Sequence, residues 1–143
     1  MKHRKEIEDA LARVTVVREL SQKKTWQFLQ EWRELYCCDL HRQTGSWTGR
    51  GSHSWSTFND SYFPSIHGER ALIEYKTQSG EGLLVLVEDQ HSSGFEVVSK
   101  RPPTFENTFL DVYVTPHGMP WTMVFTHEHP EIGPFFALRD DAE

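Results

Sequence analysis

Leu110-Asp111-Val112-Tyr113-Val114, then Pro116-His117-Gly118-Met119-Pro120, then Trp121-Thr122-Met123-Val124-Phe125-Thr126-His127-Glu128, is the stretch from which the fold can be read outward. Two alternating runs flank a pentapeptide of turn formers, a pattern that predicts an antiparallel hairpin. Period-2 geometry would send Trp121, Met123, Phe125 and His127 to one face and Thr122, Val124, Thr126 and Glu128 to the other. A two-stranded ribbon is marginal alone, so the rest of the chain must extend and cover it. Leu83-Leu84-Val85-Leu86-Val87 is apolar on both faces, as a central strand covered on both sides must be. Phe95-Glu96-Val97-Val98-Ser99 reads as its neighbour across a polar turn, ended by Pro102 and Pro103. Phe135 to Leu138, after Gly133-Pro134, forms a last short strand, and Trp55 to Phe58 reads as another.

Upstream, the period changes. Residues 3–13 place Ile7, Ala10 and Leu11 at helical spacing, with Val14 next, and Val14-Thr15-Val16-Val17 turns β-like. Ser21 is a natural N-cap for a helix from Lys23 to Tyr36, in which Trp26, Leu29, Trp32 and Tyr36 form an aromatic stripe widened by Phe28 and Leu35. His67 to Lys76 predicts a third helix, ended by Gly80 and Gly82. The expected fold class is α+β: two or three helices, mostly N-terminal, on a largely antiparallel sheet of five or six strands. The 143 residues, 37% hydrophobic with five Trp, nine Phe and four Tyr, suit one domain. Within 1–143, residues 1–41 read as helical, 42–54 as a Gly/Ser-rich loop and 55–143 as mainly β.

Composition narrows the function classes. No apolar run approaches the roughly 20 residues of a membrane span, and Met1 to Asp9 lacks the pattern of a secretory leader, so a cytoplasmic protein is expected. The two cysteines, Cys37 and Cys38, are adjacent and build neither a disulfide framework nor a zinc-thiolate site. The net charge is −6, but residues 1–50 carry +3 and residues 51–143 carry −9. An acidic C-terminal part repels phosphate backbones and argues against a nucleic-acid partner, leaving Lys2, Arg4, Lys5, Arg13, Arg18, Lys23 and Lys24 as a small basic cluster best read as a solvated helix face.

No cofactor motif is legible, and no cofactor is expected. Residues 42–54 have glycines and Arg50 but lack the Lys-Ser/Thr ending and preceding strand of a phosphate-cradling loop. The Gly-x-Ser-x-Gly elbow is missing, and Cys37 and Cys38 fall at a helix C-terminus, where the dipole disfavours a thiolate. The candidate acid-base residues are His127, Glu128 and Asp111, with Glu69 as a further carboxylate. His127 and His129 have a two-residue spacing that metal sites use, with His117, Asp111 or Glu131 as a third donor, although Pro130 opposes regular extension there. The plainer reading of His127 is a strand-end histidine bonded to backbone. Trp47, Trp55 and Trp121 are the candidate binding residues, as aromatic anchors.

Five segments taken together carry a resemblance: Trp55-x-x-Phe58, Gly68-Glu69-x-Ala71, Asp111-x-Tyr113-Val114, Trp121-Thr122-x-Val124-x-Thr126-His127-Glu128, and Gly133-Pro134-Phe135-Phe136. Over residues 55–136 the chain resembles a family of short bacterial proteins grouped as a domain of unknown function. The resemblance implies a bacterial cytosolic protein and marks Trp121, Thr126, His127, Glu128, Gly133 and Pro134 as a motif, without supplying an activity. Small size, an acidic sheet half and many aromatics point to a non-enzymatic factor of immunity or antitoxin type that masks a basic protein partner. The alternative is a small metal-dependent or acid-base hydrolase centred on His127 and Glu128.

Overall fold

The computed structural model describes residues 4–48, 53–89, 93–105, 109–128 and 131–139. Its strands are β1 (Thr15–Leu20), β2 (Ile66–His67), β3 (Leu83–Glu88), β4 (Ser93–Val98), β5 (Asp111–Pro116), β6 (Trp121–Phe125) and β7 (Phe135–Leu138). They form one sheet in the order β1-β4-β3-β5-β6-β7-β2, every neighbour antiparallel. The helices are α1 (Arg4–Ala10), α2 (Gln22–Tyr36), α3 (Cys38–Thr44), α4 (Ser56–Asn59) and α5 (Glu69–Lys76). Among the described residues no helix is long and apolar enough to cross a membrane.

The α+β class and the antiparallel sheet agree with the sequence reading; the element count and distribution do not. Among the described residues seven strands replace five or six, because β2 is only two residues long and carries no periodicity. The helices are not mainly N-terminal, since α4 and α5 lie at 56–76. Trp55 to Phe58 is not a strand: Phe58 and Asn59 donate their backbone N–H to Trp55 O, and Asp60 donates to Ser56 O, closing a helical turn. The supposed loop at 42–54 begins inside α3, which ends at Gly45 with φ +75, a left-handed C-cap suited to glycine.

The period-2 pattern assigns the two faces. Leu83, Val85 and Val87 join Val112, Val114, Trp121, Met123 and Phe125 in one cluster, covered by Ile7 and Leu11 from the α1 region and by Ala71 and Tyr75 of α5. Leu84 and Leu86 join Tyr113, Val124, Phe135 and Ala137 in the other, covered by Leu29, Trp32 and Tyr36 of α2, Leu40 of α3 and Phe58 of α4. The central strand β3 is buried on both sides, as its composition requires.

Ser21 caps α2, its side chain accepting from Lys24 N. The buried stripe is Thr25, Leu29, Trp32 and Tyr36. Trp26, expected in that stripe, stands about 100° round the helix from Thr25 and is 53% exposed. Trp32 Nε1 donates to Thr122 Oγ1 at 2.8 Å, and Tyr36 hydroxyl donates to Met119 O at 2.9 Å, tying the helix to the β5–β6 hairpin. Gly94 permits the close approach, since a Cβ there would lie 2.9 Å from Thr25 Oγ1. At the sheet's edge, β1 shows five of its six residues to solvent, and its register with β4 shifts between Val16 and Arg18, a bulge.

Candidate functional site

Glu88 ends β3 and Asp111 begins β5, and the register sets them directly opposite. Alternation sends both to the α2 face of the sheet, because Val87 and Val112 take the other. Two carboxylates so placed repel, so each needs its own set of partners.

Glu88 is held by Arg33, whose Nη2 donates to Oε2 at 2.9 Å. Ser54 adds its backbone N–H to Oε1 at 3.0 Å and its hydroxyl to Oε2, while Tyr113 hydroxyl donates to Oε1 at 2.5 Å. Arg33 Nε also donates to Ser54 Oγ, and Trp55 N–H donates to the Tyr113 oxygen at 3.0 Å. Burial first, and then the Glu88 and Asp111 carboxylates, push the Tyr113 phenol well above its ordinary range and keep it a donor. Next to this network, Cys37 Sγ contacts Ser54 O at 3.4 Å, and burial above all, with Glu88 adding to it, raises its thiol to about 12. Cys37 is therefore no nucleophile at neutral pH.

Asp111, 5% exposed, is shared by two histidines. His127 presents its backbone N–H and its Nδ1 to Oδ1, both at 2.9 Å, and His53 Nδ1 lies 3.3 Å from Oδ2. The two imidazole centroids are 4.7 Å apart. Trp55 stacks parallel on His53, 5.1 Å between centroids, and its buried Nε1 has no hydrogen-bond partner among the described residues. Both histidine side chains are about a third exposed, at 30% and 33%. One donor atom each from His53, Asp111 and His127 falls within 4.8 Å of the others, a set with the donor types of a divalent cation site.

The hairpin reading holds through Phe125, where β6 ends and the chain turns. His127 therefore leaves the Phe125 face, and its ring meets His53 and Trp55 on the other side of the sheet. Asp111 and His127 come together; Glu128 is exposed beside them. His117 is carried past the far end of β5, where its Nε2 lies 3.2 Å from Glu96 Oε1. There Arg18, hydrogen-bonded to Glu96, holds that carboxyl below its usual range. Glu69 sits in the exposed first turn of α5. His129 and residues 49–52, Arg50 among them, lie outside the described residues.

Of the candidate anchors, Trp121 is in the core, stacked on Phe136, and Trp55 is buried against His53. Trp47 is half-buried and stacks on His41, 3.9 Å between centroids. The sequence reading passed over His53, which sits in a Gly/Ser-rich stretch without periodicity. Its one available signal was the spacing His53-x-Trp55, an aromatic pair just ahead of an apolar turn.

A neighbouring concavity of about 390 Å³ is lined by Phe58, Phe63, Phe135 and Ile132 together with Asn59, Ser61, Ser65, His67 and Glu131, with neither lysine nor arginine among the described residues that line it. Gly133, with φ +82, turns the chain along its rim, where a side chain would be strained. No protein-family model, curated protein or solved structure matches the chain.

Proposed function

We propose that this protein is a non-enzymatic binder of a basic protein, of immunity or antitoxin type, and that a cationic side chain of the partner enters the concavity lined by Phe63 and Glu131. The observation that carries this reading is that concavity: Phe63 and the exposed Glu131 carboxylate, set among the polar side chains of Asn59, Ser61 and Ser65, are complementary to an arginine or lysine. The net charge of −6, and −9 over residues 51–143, favours encounter with a cationic surface. Phe58, Gly133 and Phe135 all line the concavity, and all belong to the segments that resemble the bacterial family. A free buried Cys37 and a free exposed Cys38 fit the reducing interior of a bacterial cell, where we place the protein.

The test is capture from a bacterial lysate at low and at moderate salt, with wild type and with Glu131→Lys as bait. The reading expects a basic protein retained at low salt, weakened by added salt and lost with the charge reversal. Recovery of no basic protein at low salt, or equal recovery by Glu131→Lys, rejects it. A second reading, hydrolysis by an acid-base or metal-dependent centre, is favoured by the meeting of Asp111 and His127. Turnover of ester or phosphoester probes that His127→Ala abolishes is its expected result.

A further inference from the structure

We infer that His53, His127 and Asp111 form a binding site for one divalent transition-metal ion, with Zn²⁺ the representative. The inference is separate from the partner proposed above and needs no partner to be tested. Its basis is the donor set and its spacing. Two imidazoles and a carboxylate suit zinc, cobalt and nickel, whereas calcium and magnesium prefer sites made of oxygens. Around a tetrahedral ion with bonds of about 2.0–2.1 Å, donor atoms stand about 3.3 Å apart. His53 Nδ1 and Asp111 Oδ2 are 3.3 Å apart, that same spacing, and one donor atom from each of the three residues lies within 4.8 Å of the others.

The surroundings fit as well. The carboxylate is buried and fixed by the His127 backbone N–H on Oδ1, which leaves Oδ2 facing His53. The imidazoles are partly open to solvent, so an ion can enter, and three protein donors leave a coordination position for water. Trp55, parallel to His53, fixes one ligand's ring plane. Binding would fasten the segment carrying His53, Ser54 and Trp55 to the ends of β5 and β6.

Protein stripped with chelator is titrated with ZnCl₂ and, separately, CoCl₂, following melting temperature, bound metal by elemental analysis and the visible absorption of cobalt. Expected are one equivalent bound, a raised melting temperature and cobalt bands of a nitrogen-oxygen site without sulfur charge transfer. His53→Ala and His127→Ala should each weaken binding at least as much as the ~10–100-fold loss that follows removal of an outer-shell partner. His117→Ala and Cys38→Ser should bind as wild type. Should an alanine variant fail to fold by circular dichroism, His53→Gln and His127→Gln take its place. The inference is overturned if the folded protein takes up no metal, if both histidine variants bind as wild type, or if Cys38→Ser rather than the histidine variants removes binding.

Discussion

Tyr113 hydroxyl stands between two groups: it donates to Glu88, which has other donors, and accepts from Trp55 N–H. Tyr113→Phe leaves a buried backbone donor unpaired and should cost about 2 kcal/mol in urea unfolding, the scale of an unsatisfied buried group. The two tryptophans on the α2 side make a sharper comparison. Trp32 Nε1 donates to Thr122, whereas Trp55 Nε1 is buried without a partner among the described residues. Both lose ring volume on replacement by phenylalanine, but only Trp32→Phe also breaks a hydrogen bond. We expect Trp32→Phe to cost about 1 kcal/mol more than Trp55→Phe, read as the difference between their denaturation midpoints at equal slope.

At the scale of elements, the approach of α2 to the sheet is set by one missing Cβ. Gly94→Ala would press on Thr25 Oγ1 and on Leu20 Cδ1 at 3.1 Å, and overpacking of this kind costs about 1–3 kcal/mol. Thr25→Ala in the same molecule removes the nearer obstacle, so the double variant should be more stable than the sum of the single losses implies; strict additivity would refute this contact as the cause. The helix itself is legible in the sequence, because Ser21 and the spacing of Leu29, Trp32 and Tyr36 are local signals. Which of Thr25 and Trp26 turns inward is not, since a stripe's edge depends on what it packs against, here Gly94. The hairpin is legible for the same local reason, and β2 is not, because two residues pair only once Phe135 and Phe136 are in place. The candidate site divides in the same way: Asp111 begins β5 and His127 closely follows β6, next to the readable hairpin, but His53 comes from a stretch whose position is fixed by Ser54 bonding to Glu88.

Across the whole molecule, the concavities beside the two sheet edges differ in the charged groups that line them. Arg13, Lys100 and Arg101 line an open groove of about 790 Å³ beside β1 and β4, while the Glu131 concavity lies beside β7 and β2. Global stability should fall on the alkaline side for a specific reason. The Cys37 thiol rises from 9.0 to about 12 on folding, so its contribution is full below pH 9 and is lost as pH climbs from 9 toward 12. Thermal melts between pH 8 and pH 11 should show a decline that Cys37→Ala makes shallower; an unchanged slope would assign the decline to other groups, such as the buried phenols Tyr75 and Tyr113. The irregularity between Val16 and Arg18 has a colloidal consequence. An incoming β-strand would find the spacing of donors and acceptors broken midway along β1 and a guanidinium beside the break, so growth of fibrils from this margin is discouraged even though its valines face water.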